Sequence, residues 1–161
     1  PFLCHLLQPL SYVLSCTQIM DMQSYFSFSL ETDLGQPLVL AVDDNDDNLQ
    51  LLAQILAIAE CDYITAVDGE SAILKAKSYR PSLILLDMML PDISGIDVTR
   101  TLKQDPKTQA IPIIAVTAMA RNEDRESFIT AGCVECAIKP YDIVQLEATI
   151  RKYAFREMSN G

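Results

Sequence analysis

Five short apolar runs, each followed by a stretch with helical spacing, govern what the chain from Pro37 onward can fold into. Residues 38–42 form the first run, and 48–59 then set Leu49, Leu52, Ile55, Leu56 and Ala59 on one helical face. Residues 63–67 predict a second strand, and 69–79 a helix that Arg80-Pro81 ends. A third strand spans 83–86, with Ile96, Thr99 and Leu102 on the next helix face; a fourth spans 111–116, before a polar helix over 122–131 that Gly132 closes. The fifth is 134–138, and Ile143, Leu146, Ile150 and Tyr153 mark the last helix. Strands apolar at successive positions, each separated by one helix, predict a parallel sheet covered on both faces. Right-handed crossovers make this a doubly wound α/β fold.

In such a sheet the ligand site lies outside the carboxyl ends of the strands. The residues at those ends are Asp43 and Asp44, Asp87, Thr117 and Lys139. Asp87 most needs explaining, because LILLDMMLPD runs four aliphatic side chains into a carboxylate, and a buried charge is costly unless compensated. Three carboxylates within about 5 Å repel by about 3 kcal/mol per pair at an effective dielectric near 20, so they need a cation. Hard oxygen ligands with room for water suit Mg²⁺. Lys139 would add a second positive charge beside Asp87. A carboxylate flanked by a divalent ion, an ammonium and a hydroxyl is arranged to accept a phosphoryl group, with Asp87 as nucleophile. Each residue alone has a plainer role: Asn45 or Asp46 caps a helix, Thr117 ends a strand, and Lys139 is solvated. Their joint placement after four separate strands carries the argument.

Composition narrows the function classes. Net charge is −10, and all twelve Lys and Arg lie at or after Lys75, so direct binding to nucleic acid or an anionic membrane is not expected. Cys4, Cys16, Cys61, Cys133 and Cys136 have no disulfide-framework spacing and fit a reducing cytoplasm. Cys133 and Cys136 form a CxxC, but His5 is the only histidine, which disfavours zinc, and the pair leads into a strand rather than opening a helix as a redox motif would. Residues 1–36 hold no run long enough for a membrane helix and no basic segment of a secretory signal. They read as a disordered or weakly ordered extension, explained either by a translation start at Met20 or Met22 or by a role as a docking tail.

LAVDDN, LILLDMMLPDISGID, IPIIAVTA and AGCVECAIKP resemble, in order and spacing, the motif regions of the response-regulator receiver domain of two-component signalling, over about 37–154. The resemblance implies a flavodoxin-like five-stranded sheet of order 2-1-3-4-5. It divides the chain into an extension (1–36), a receiver domain (37–155) and a tail (156–161). It implies that Asp44 and Asp87 ligate Mg²⁺ directly, that Asp43 acts mostly through water, and that the main-chain carbonyl of Met89 is a further ligand. Thr117 would face the phosphoryl group, Lys139 would pair with it, and Lys139-Pro140 would be cis. The expected function is a stand-alone, cytoplasmic phosphoacceptor, not an enzyme. It would be loaded by a sensor histidine kinase or histidine phosphotransfer protein, and an as yet unknown downstream protein would read it on the face of the fourth helix, fifth strand and fifth helix.

Three positions depart from the family's pattern. Cys136 stands where an aromatic switch residue is usual. Met89 and Met119, each two residues past a site residue, border the path of the attacking water, and thioethers neither orient nor activate it, which predicts slow self-dephosphorylation. The competing class is a phosphorylation-independent receiver-like interaction module. A haloacid-dehalogenase-type phosphatase would need a second acid two residues after the nucleophile, where Met89 stands.

Overall fold

The computed structural model describes residues 35–118 and 121–156; the expectations for the N-terminal extension before Gly35, for Met119 and for the tail beyond Arg156 lie outside them. Strands β1 (Leu38–Val42), β2 (Asp62–Ala66), β3 (Leu83–Asp87), β4 (Ile113–Thr117) and β5 (Glu135–Ile138) alternate with helices α1 (Asp46–Ile58), α2 (Gly69–Tyr79), α3 (Gly95–Gln104), α4 (Asn122–Ala131) and α5 (Ile143–Ala154). All pairings are parallel, in the order β2-β1-β3-β4-β5. This is the doubly wound, flavodoxin-like order expected.

The double-sided burial read from the apolar runs follows from the pleat. Alternate side chains of β3 go to opposite faces: Leu83 and Leu85 join Leu52, Ile55 and Leu56 of α1 and Leu146 and Ile150 of α5, whereas Ile84 and Leu86 join Ala72 and Ala76 of α2, Val98 and Leu102 of α3 and Phe128 of α4. Both layers exclude water, so β1, β3 and β4 need aliphatic residues at almost every position.

Several boundaries moved for local reasons. Helix α1 starts at Asp46 rather than at residue 48, because the Asn45 side chain accepts the amides of Asp47 (2.9 Å) and Asn48 (3.2 Å). Asp46 and Asp47 then occupy the first turn, where the helix dipole favours acids. Strand β4 begins at Ile113 because the Ile111 amide closes a turn onto Thr108 and Pro112 has no amide hydrogen. Ile143, expected on the packed face of the last helix, is 45% exposed; the buried stripe of α5 starts one turn later at Leu146. On α3, Val98 joins Thr99 and Leu102 in the core and Ile96 is only half-buried. The ends of α2 and α4 follow the sequence: Arg80 takes a left-handed φ of 46° before Pro81, and Gly132 takes 122°.

Because Leu85 is fully buried in a close-packed layer, Leu85→Ala should lose about 2–5 kcal/mol of stability in urea unfolding. Leu74→Ala, on the exposed side of α2, should change it by no more than about 0.5 kcal/mol.

Candidate functional site: an acidic cluster at the carboxyl edge

The parallel register brings four strand ends to one rim. Asp87 is the last residue of β3 and pairs with Val116; Thr117, the last of β4, pairs with Ile138; Asp43 follows β1 and Lys139 follows β5. The Lys139 amide donates to the Thr117 carbonyl (2.8 Å) and the Met88 amide to that of Val116 (3.0 Å), so the ladder runs on into the site. Oxygens of Asp43, Asp44 and Asp87 all lie within 4.8 Å of one another. Asp43 and Asp87 are buried and Asp44 is exposed, which leaves the cluster open on one side. Thr117 is fully buried.

The Lys139 ammonium bridges the two buried acids, with Nζ 2.7 Å from Asp43 Oδ2 and 2.6 Å from Asp87 Oδ2. Asp43 is further held by the Asn45 amide (2.9 Å) and by the Asn48 side-chain amide, 3.0 and 3.1 Å from its two oxygens. Asp87 Oδ1 accepts the Met89 amide at 2.8 Å. These differences in support separate the two carboxyls. Burial works to raise Asp43, but Lys139, Asn48 and Asn45 outweigh it and hold its pKa below the usual carboxylate value. For Asp87 burial wins over the bonds from Lys139 and Met89, and Asp43 adds repulsion, so its pKa lies above that value. Burial acts to lower Lys139, and its bonds to both acids more than reverse this.

Asp43, Asp44, Asp87 and Lys139 thus share one cluster, and Thr117 ends the neighbouring strand. Met89 takes part through its amide, which sequence reasoning did not foresee, while its side chain is 59% exposed. The Lys139–Pro140 bond is cis. Three further residues were missed. Asn48 looked like an ordinary helix residue, but one turn after Asp44 it returns a donor to Asp43. Gly95 opens α3 so close to the β3 end that a Cβ there would lie 2.6 Å from Met88 Cα and 2.7 Å from the Asp87 carbonyl oxygen. Asp92 accepts the amides of Gly69 (2.8 Å) and Glu70 (2.9 Å), tying the loop after Asp87 to the start of α2. An acid before a glycine-led helix was the available signal for the last two.

Among the described residues Cys133 and Cys136 do not join a group of three or more metal-ligating side chains. Cys133 is buried with its sulfur 3.7 Å from the Thr99 hydroxyl, and Cys136 is half-buried on β5. Nor is any described helix long and apolar enough to cross a membrane.

Residues 39–151 match the family model of the response regulator receiver domain. The chain belongs to that family. It is 36% identical over 115 residues to the polar-differentiation response regulator DivK of Brucella anthropi, covering 71% of this chain and 94% of that protein. Among solved structures it resembles the receiver domain of the sensor histidine kinase PA1611 of Pseudomonas aeruginosa, which has a magnesium ion coordinated in its active-site cleft, with a TM-score of 0.69 and 28% identity over 74% of this chain and 98% of that one. It also resembles a chain in the co-crystal structure of the Saccharomyces cerevisiae histidine phosphotransfer protein Ypd1 with the receiver domain of Ssk1, with a TM-score of 0.70 and 26% identity over 76% of this chain and 92% of that one.

The two acids should respond oppositely to substitution. A raised Asp87 pKa means that folding favours its protonated form; that stabilisation is present below the usual carboxylate range and lost as pH rises through the folded-state value. Asp87→Asn should therefore raise stability at neutral pH, by on the order of 1 kcal/mol, with the gain shrinking as pH falls. Asp43 is lowered, so its contribution is present above the usual range and lost as pH falls through its folded-state value; Asp43→Asn should destabilise at neutral pH. Urea titrations of both variants across the carboxylate range check the signs.

Proposed function

We propose that this receiver is a phosphoacceptor in which Asp87 takes a phosphoryl group from a phosphohistidine on a sensor histidine kinase or histidine phosphotransfer protein. The observation that carries this is the Lys139 ammonium bridging Asp43 and Asp87 at 2.7 and 2.6 Å at the carboxyl edge of the sheet. In the transfer the N–P bond of the donor breaks, an O–P bond forms to a carboxylate oxygen of Asp87, and the imidazole leaves. Lys139 moves its charge from the Asp87 carboxylate to the new phosphoryl oxygens. Thr117, at the end of the adjacent strand, offers its hydroxyl to the same group. Asn48 and the Asn45 amide keep Asp43 ionised and in place meanwhile.

The donor set fits a magnesium ion: three carboxylates with oxygens within 4.8 Å, one of them exposed, suit a hard cation that retains water. Asp44 and Asp87 would ligate it directly, Asp43 mostly through water, and the Met89 carbonyl would add a ligand. When bound, such an ion neutralises charge on the transferring group. Signalling would then pass through contacts with a downstream protein rather than through an active site of this chain's own, in the cytoplasm, with the receiver acting as a separate unit.

The exposed Met89 side chain offers no hydrogen bond to an attacking water, so the phosphorylated form should be long-lived. With acetyl phosphate and Mg²⁺, intact mass should show one added phosphoryl group, absent in Asp87→Ala. No adduct on the wild-type protein would instead favour a phosphorylation-independent interaction module. Met89→Asn should speed loss of the phosphoryl group about tenfold, equivalent to ~1.4 kcal/mol of barrier; hydrolysis of the wild-type adduct within seconds would count against the long-lived form.

A further inference from the structure

Tyr141 lies two residues past Lys139, across the cis Lys139–Pro140 bond. Its half-buried ring packs against the layer formed by α1 and α5 and helps line a groove of about 450 Å³ with Cys136, Lys139 and Leu146. Its hydroxyl is buried and has no hydrogen-bond partner, and no other buried side-chain oxygen or nitrogen among the described residues is left so. Buried hydroxyls elsewhere are satisfied: Thr99 donates to the Gly95 carbonyl and Thr108 to that of Leu102, each at 2.8 Å. A phenylalanine would fill the ring's space without stranding a donor, so the hydroxyl is a cost that this state of the protein does not recover.

The surroundings indicate where it is recovered. Burial first, then the nearby charges of Asp43 and Asp87, push the phenol's pKa upward, so the group keeps its proton and remains a donor facing a field that favours donation. Each buried acid of that cluster already has its donors: Lys139 Nζ holds Asp43 Oδ2 and Asp87 Oδ2 together, and the Oδ1 atoms accept from Asn45 and Asn48 on Asp43 and from Met89 on Asp87. Turning Asp87 into an acyl phosphate removes one of those anionic acceptors and offers Lys139 phosphoryl oxygens in its place. The chain segment from Lys139 to Tyr141 is short, so a change of partner at Lys139 acts directly on the ring.

We infer that the Tyr141 hydroxyl is a positioning group that finds its hydrogen-bond acceptor only when Asp87 is loaded, and so biases the segment after β5 toward the loaded state. This rests on the phosphoacceptor reading of Asp87. It makes Tyr141 a reporter of loading built on the α1 and α5 side of the sheet.

The test uses the full chain with ¹³Cζ-labelled tyrosine, Mg²⁺ and beryllofluoride, which stands in for the phosphoryl group. The resonance absent from Tyr141→Phe identifies Tyr141. If the inference holds, that resonance shifts on beryllofluoride addition, and Tyr141→Phe binds beryllofluoride about five- to tenfold more weakly, the scale of one lost hydrogen bond. Without beryllofluoride the variant should unfold at the same temperature as the wild type or higher, whereas a purely structural hydroxyl would lower it in both states. An adduct that forms on wild type and is lost in Asp87→Ala, with Tyr141 unshifted and Tyr141→Phe binding equally well, overturns the inference and leaves the phosphoacceptor reading standing. Absence of any adduct on wild type overturns both.

Discussion

A single ammonium holds two buried carboxylates at the rim of the sheet. Without Lys139 between them, Asp43 and Asp87 would face each other as like charges out of water, an arrangement worth several kcal/mol of repulsion even at an effective dielectric of about 20. The lysine follows the edge strand β5 and the acids stand at the ends of the interior strands β1 and β3, so the bridge also fixes how the ends of β1, β3 and β5 sit against one another. Compensation is uneven: Asp43 has amide donors of its own, while Asp87 leans mainly on the shared cation. A well-supported carboxylate is suited to staying ionised. A poorly supported one gains most from conversion into something that no longer needs the same partner. The roles proposed for the two acids follow from that inequality rather than from their positions alone.

The fold was largely legible because both faces of the sheet are covered, which leaves an unambiguous trace of continuous aliphatic runs. Leu83 to Leu86 could be read as a buried strand since no polar residue interrupts it, and Arg80-Pro81 and Gly132 mark helix ends by backbone chemistry that needs no tertiary information. Where reading failed, long-range geometry decided. Ile143 keeps the helical period yet stays exposed, because whether an apolar stripe is covered depends on what lies beneath it.

The same division holds at the site. Charged residues at strand ends announce themselves against apolar sequence, so Asp43, Asp87 and Lys139 could be singled out. Asn48 could not, because an asparagine in a helix looks alike whether it faces water or an acid five residues back. The Met89 amide was hidden for a different reason: every residue has one, and only the turn after β3 aims it at Asp87. The unpartnered phenol of Tyr141 belongs to this class too, since satisfaction of a polar group is a property of its neighbours.

Gly95 shows how little slack surrounds the carboxyl end of β3. The start of α3 rests on the Asp87 carbonyl and the Met88 backbone with space for a hydrogen atom and nothing larger. Main chain packed this near to main chain, with the Gly95 amide 3.1 Å from the Met88 carbonyl, yields less than a side-chain contact that a rotamer change can absorb. A displacement of the β3 end toward α3 therefore meets main chain at Gly95, with no side chain between them to absorb it.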